Sequence, residues 1–200
     1  MGISANKLKV DIDDAFKLFL DEHSEEGRMI SVGCGVMKTE CLLAYLFDLD
    51  DEKIIGIDPD PLSYNKEADL EYGRLPDYKT VADYIDECGN NPNNSLILEW
   101  PSPDDATYGI DAIEDLNPNM ILIRYASCGV SGSHELQIFL NSCGCPSTTK
   151  TIRERGYVGR KYKCHGKYTM IYHDQHVEGS GSGRDGYTLD VVVLQRNSSV

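Results

Sequence analysis

An α/β fold organised around a mostly parallel sheet is what three features of this 200-residue chain predict. Short apolar runs, "MISVG", "KIIGID", "SLILEW" and "NMILIRY", alternate with segments of helical periodicity. Turn-forming Gly, Pro, Asn and Asp residues bound these runs. The last third departs from the alternation. There, "KYTMIYHDQ" and "YTLDVVVLQR" are joined only by the Gly/Ser-rich "VEGSGSGRDG". So short a connection predicts a C-terminal antiparallel hairpin instead of another crossover.

Each element follows from its own residues. In residues 5–22, Leu8, Ile12, Phe16 and Phe19/Leu20 recur at spacings of three and four, which makes an amphipathic helix. The polar "EHSEEGR" ends it, and Gly27 precedes the first strand. Thr39 to Phe47 reads as a helix. "KIIGID" is the next strand, closed by Asp58-Pro59-Asp60-Pro61, whose prolines force the chain out of a sheet. "YKTVADYIDEC" is helical through Val81, Tyr84/Ile85 and Cys88, and "GNNPNN" stops it. "SLILEW" is a third strand, "TYGIDAIEDLN" a short helix and "NMILIRY" a fourth strand. "GSHELQIFLNSC" is a further helix capped by Ser133. No internal repeat and no dividing linker interrupts the chain, so 1–200 reads as one domain. Within it, 1–27 would be an N-terminal helical cap, 28–142 an α/β core, and 143–200 a basic segment followed by the hairpin.

Composition narrows the function classes. A net charge of −14 argues against general nucleic-acid binding. Yet Lys150 to Tyr168 carries seven Lys or Arg against one Glu, a local +6 that leaves −20 for the rest. With three interleaved tyrosines, this stretch could track a phosphate-bearing substrate, or it could be a solvated basic loop docked on the acidic body. No run approaches the ~18 apolar residues of a membrane helix, and no basic-then-apolar leader opens the chain. Gly2 meets a myristoylation template, but Asn6 stands where Ser or Thr is usual. A cytoplasmic protein without membrane partners is expected. Seven cysteines, an odd count, favour reduced thiols. Cys143, Cys145, Cys164 and His165, with His173 and His176, fit no standard metal-ligand spacing, so no metal site is assigned.

The best chemical lead is "SVGCGV" at the end of the first strand. Gly33 and Gly35 would let the backbone turn sharply and approach a ligand without Cβ interference. Asp58, at the end of the next strand, could accept hydrogen bonds from both hydroxyls of a ribose. A glycine turn with an acid at the next strand end is a nucleoside-binding arrangement. The dinucleotide pattern G-x-G-x-x-G fails at Lys38, and no Walker loop is present.

"SVGCGVMKTE", "GIDPDP", "LILEWPSP" and the terminal hairpin, in that order, resemble a class I S-adenosylmethionine-dependent methyltransferase. The resemblance spans roughly Met29 to Gln195, and is greatest to methyltransferase-like proteins with a Trp-Pro element after the fourth strand of their fold. It implies a Rossmann-like three-layer sandwich. It also implies that Gly33, Cys34 and Gly35 line the methionine and ribose of S-adenosyl-L-methionine, that Asp58 holds the ribose hydroxyls, and that Pro59 flanks the adenine. Asp77 and Tyr78, in "DYKT", would lie near the adenine edge. Val36-Met37 stands where the family usually carries a third small residue.

"LEWPSP" lies where amino-methylating members of that fold carry an acidic or amide residue, prolines and an aromatic. Glu99 would accept a hydrogen bond from an amine, Trp100 would stack on the substrate, and Pro101 would support a rigid carbonyl. Methyl transfer depends largely on such positioning. Trp100 precedes the prolines here, and could equally plug a core. Glu99, a lone acid in an apolar strand, must face a crevice, an arginine or a ligand. Tyr125 could reach the same crevice. The expected function is methyl transfer to an unidentified polar acceptor. The alternative is a methyltransferase-like fold that has lost catalysis and serves as a binding or scaffold protein. A nucleotide-binding oxidoreductase is disfavoured by Lys38 and the hairpin.

Overall fold

Strands that are apolar at consecutive positions must be covered on both faces, and four of them sit side by side here. The computed structural model describes residues 14–63, 70–99, 101, 108–126, 133–143, 167–177 and 188–197. The runs become β1 (Met29–Val32), β2 (Ile54–Ile57), β3 (Ser95–Glu99) and β4 (Met120–Ala126). The last third supplies β5 (Tyr168–Val177) and β6 (Thr188–Arg196). They form one sheet in the order β2-β1-β3-β4-β6-β5. β1 to β4 are mutually parallel, while β6 runs antiparallel to both β4 and β5. The fold is therefore α/β and Rossmann-like, with the antiparallel C-terminal hairpin that the short Gly/Ser-rich connection predicts.

Helices cover both faces. On one lie α1 (Asp14–Asp21) and α2 (Lys38–Phe47), whose Phe16, Phe19 and Leu43 pack with Ile97, Leu122 and Val193. On the other lie α3 (Val81–Cys88), α4 (Tyr108–Leu116) and α5 (His134–Ser142), whose Tyr84, Ile113 and Phe139 pack with Ile30, Leu98 and Ile123. Phe16 and Phe19 are fully buried, and truncating such a side chain costs about 3–5 kcal/mol. The N-terminal helix is thus part of a sheet-covering layer, seated against β4, β5 and β6. Thr80 caps α3 through a reciprocal box with Asp83, and the Ser133 hydroxyl caps α5 by accepting from the Leu136 amide, as its sequence predicts.

From β1 the chain moves outward to β2, then crosses back to place β3 on the other side of β1. That reversal opens a crevice beyond the carboxyl ends of β1 and β3. The turn that leads from β1 into α2 ends at Met37, which has φ 50° and ψ 37°, a left-handed conformation costing a non-glycine residue about 1–2 kcal/mol. The turn sends its side chain into the core, where it is 1% exposed and lies over Gly56 of β2. Burying a methionine contributes about 1.5–3 kcal/mol, enough to offset the strain. Met37 therefore does not intrude where a small residue was expected.

A Cβ on Gly56 would come within 2.2 Å of the Met37 sulfur. Gly56→Ala is expected to destabilise the fold by about 1–3 kcal/mol through overpacking. In urea denaturation, Met37→Ala and Gly56→Ala should be non-additive, the double variant losing less than the sum of the singles.

Candidate functional site

The glycine turn after β1 is built from its own hydrogen bonds. Gly33 and Gly35 have φ of 74° and 57°, a region that disfavours any residue with a Cβ. The Gly33 amide donates to the Ile57 carbonyl at 2.8 Å, and the Gly35 amide to Asp58 Oδ2 at 2.9 Å. The Met37 amide donates to the Cys34 carbonyl at 3.0 Å. Asp58 Oδ1 accepts from the Asp60 amide at 2.9 Å, so one carboxylate joins the turn after β1 to the turn after β2. A Cβ on Gly33 would lie 3.0–3.3 Å from the Tyr108 ring, which stands over the turn from the start of α4.

Around this turn opens a crevice of about 1070 Å³. One side is Gly33, Cys34, Gly35, Asp58 and Pro59, five of the residues expected to hold the cofactor. Thr80, Val81 and Ala82 at the start of α3 line the crevice as well, with Tyr108 and Asp111 from α4. Glu40 and Glu99 also line it. The structure thus brings the predicted Glu99 to the same space as the glycine turn.

Other predicted residues lie elsewhere. Asp77 and Tyr78 do not line the crevice, because both are tied to the outer edge of β2. The Gly56 amide donates to Asp77 Oδ2 at 2.8 Å, and the Gly56 carbonyl accepts from the Asp77 and Tyr78 amides. The Arg74 guanidinium pairs with the Asp77 carboxylate at 2.6 Å, and the Tyr78 ring packs edge-on against Tyr84. The next residues, Lys79 and Thr80, reach the crevice in their place. Pro101 is buried near Gly109 and is absent from the lining. Tyr125 is buried in the core. Trp100, Cys145, Cys164 and His165 lie outside the described residues, as does nearly all of Lys150–Tyr168. Among the described residues, no cluster of three His, Cys, Asp or Glu side chains could hold a metal ion. His173 instead pairs with buried Asp190 at 2.8 Å.

Two carboxyl groups at the crevice differ in their support. Glu99 Oε1 meets the Arg124 guanidinium at 3.0 Å, and Oε2 accepts from the Thr39 hydroxyl at 2.9 Å. Arg124 lies 5.3 Å above the centre of the Phe16 ring, a cation–π contact. Glu40 is 2% exposed. The Ser31 hydroxyl donates to its Oε1, and its buried Oε2 has no hydrogen-bond partner among the described residues. Burial, followed by the charge of Glu99, pushes the Glu40 carboxyl up to about 7, against the opposing effects of Ser31 and Arg74. The Cys34 thiol is raised by burial and by the charges of Glu40 and Asp58, so it is held as a thiol and is a poor nucleophile. Neither Glu40 nor Arg124 and Thr39, which hold Glu99, stands out as a site residue in the sequence pattern alone.

Charge and hydrogen bonding together limit what the crevice can take. Among the described residues, Glu40, Asp58, Asp60, Glu99, Asp111 and Asp115 line it, against one basic residue, Lys79. Three amides of the glycine turn are already committed within the protein. A pyrophosphate needs such amides and a positive field. A cationic, uncharged or zwitterionic ligand suits these walls better.

No protein-family model matches the chain, and no curated protein matches it in sequence. Among solved structures, it is similar to a protein of the NADB-Rossmann superfamily from Streptococcus agalactiae, with 10% identity and a TM-score of 0.45 over 96% of this chain and 71% of that one. It is similar to a chain of the fibrillarin/Nop5p complex at 11% identity and a TM-score of 0.47, over 90% and 79% of the two chains. A third is a Streptococcus pneumoniae candidate tRNA (m1A22) methyltransferase in complex with S-adenosyl-L-methionine, at 9% identity and a TM-score of 0.46, covering 94% and 75%. These likenesses are of fold.

Two measurements check the electrostatics. Glu40 binds its proton more tightly folded than unfolded, so its contribution to stability is expected to fall as pH rises from about 4.5 to about 7 and then to level off. Glu40→Gln should remove that slope in denaturant titrations. Mass spectrometry after iodoacetamide treatment at pH 8 should find exposed Cys88 modified well before Cys34.

Proposed function

We propose that the crevice binds S-adenosyl-L-methionine and that the protein transfers its methyl group to a polar acceptor. The observation that carries this reading is an acidic crevice at the sheet's reversal point, with a self-bonded glycine turn held by Asp58. The bound cofactor would supply a methyl group on a cationic sulfur. Gly33 and Gly35 would let the ligand lie against backbone. Each Asp58 oxygen keeps a second lone pair beyond the one used on an amide, and these would accept from ribose hydroxyls. Pro59 and Val81 would offer apolar surface to the adenine, and the acidic base would favour positive charge. Glu99, fixed by Arg124 and Thr39, would accept a hydrogen bond from the methyl acceptor and so turn its lone pair toward the methyl group, a positioning role.

Acceptor recognition would fall to other segments of the chain, above all Lys150–Tyr168. Its local +6 could hold a phosphate-bearing molecule that the acidic walls would repel. One observation favours the alternative of a non-catalytic binding protein: both Glu99 oxygens are already engaged, as in a structural bridge.

Calorimetry with S-adenosyl-L-methionine and S-adenosylhomocysteine is the direct test. Both are expected to bind, and Asp58→Ala should weaken each at least tenfold, the loss typical of a charge-assisted hydrogen bond. No binding at millimolar ligand would overturn the cofactor assignment. Once an acceptor is identified, Glu99→Gln should lower turnover more than cofactor affinity. Unchanged turnover would return Glu99 to a structural role.

A further inference from the structure

We propose that Glu40 receives the cationic head of the crevice's ligand, an alkylammonium of the amino-acid type, whose N–H donates to the unpartnered Oε2. The inference rests on the cofactor reading above and assigns a specificity-determining residue within it. Three observations meet at this carboxyl group. Glu40 lines the crevice although it is only 2% exposed, so its carboxyl group sits in the inner wall and not at the surface. Its Oε1 is fixed by Ser31 of β1, which orients the carboxyl group. Its Oε2 is buried and has no hydrogen bond among the described residues. A buried oxygen left in that state costs free energy that a bound donor would recover.

The surroundings make that donor positive. From β3, Glu99 faces Glu40 and adds negative charge, although Arg124 of β4 and Thr39 of α2 engage its oxygens. The Cys34 thiol in the glycine turn feels Glu40 and Asp58 together and stays protonated. Arg74, after β2, acts on Glu40 only through its field, because its guanidinium is bonded to Asp77 and to the Ile54 carbonyl. No Lys or Arg hydrogen-bonds Glu40 among the described residues. An arriving ammonium would supply the missing direct counter-charge. It would bind the ionised carboxylate, so near neutral pH the proton on Glu40 passes to solvent as the ligand enters.

The test compares S-adenosylhomocysteine, which has the amino-acid head, with 5′-methylthioadenosine, which keeps the nucleoside thioether without it. Calorimetry on the full chain is run at pH 6 and 8, and at pH 7 in two buffers of different ionisation enthalpy. S-adenosylhomocysteine affinity is expected to rise about tenfold from pH 6 to 8, with proton release at pH 7. Glu40→Gln keeps the bond to Ser31, and should abolish both the pH dependence and the proton release. It should also weaken S-adenosylhomocysteine at pH 8 at least tenfold. Methylthioadenosine should respond to neither pH nor substitution, and its unchanged affinity verifies that the variant is folded. Should the variant fail to fold, a flat wild-type pH profile for S-adenosylhomocysteine alone refutes the proposal. If both nucleosides bind and Glu40→Gln matches wild type at each pH, the Glu40 assignment falls while the cofactor reading stands. If neither nucleoside binds wild type, the cofactor reading falls and takes this assignment with it.

Discussion

Two carboxyl groups in one partly dry wall cannot both hold a full charge cheaply, and the site is organised around that limit. The fold resolves it unequally. Glu99 is matched across the β3–β4 register by Arg124, its direct partner in the ladder, and steadied by Thr39 at the start of α2. Arg124 in turn rests over Phe16 of α1. Two helices and two strands therefore converge on one negative charge. Glu40 receives a single hydroxyl and keeps the residual penalty. The base of the crevice is left short of positive charge, which is a property of the whole sheet face and not of one side chain.

The mouth of the crevice follows a different logic. In a phosphate cradle the amides of a glycine turn point outward to the anion. Here Gly33, Gly35 and Met37 spend theirs on Ile57, Asp58 and Cys34, so the turn is rigid before any ligand arrives. Asp58 is both a brace for that turn and the acid best placed to meet a ligand beside it. Preorganisation of this kind lowers the ordering cost of binding.

The architecture was legible because it depends on features that survive in one dimension. Continuous apolar runs mean strands covered on both faces, and a short Gly/Ser connection means a hairpin. Gly33, Cys34, Gly35, Asp58, Pro59 and Glu99 were legible as a group because strand ends in such sheets converge. Glu40 was not, since an acid in the first turn of a helix ordinarily favours the dipole at the surface. Its signal was faint but present: it shares a row with Leu43 and Ala44, both buried. The Glu99–Arg124 pair also left a trace, as single opposite charges at the same depth in "LILEW" and "ILIRY". Met37 was misleading because a left-handed residue reverses where its side chain goes, and spacing alone does not reveal φ. The family resemblance puts Asp77 and Tyr78 near the ligand, whereas in the fold both hydrogen-bond the backbone of β2 at Gly56.

That last substitution bears on how the protein behaves among its copies. β2 ends the sheet, and an open edge is a template on which other chains can stack and aggregate. Asp77 and Tyr78 occupy the Gly56 amide and carbonyl, and the Asp58 amide is bonded to the Tyr78 carbonyl. An isolated parallel bridge between Ile57 and Tyr78 continues this pairing. Asp77 and Tyr78 thus occupy part of the backbone that an incoming strand would need, on the β2 flank of the sheet.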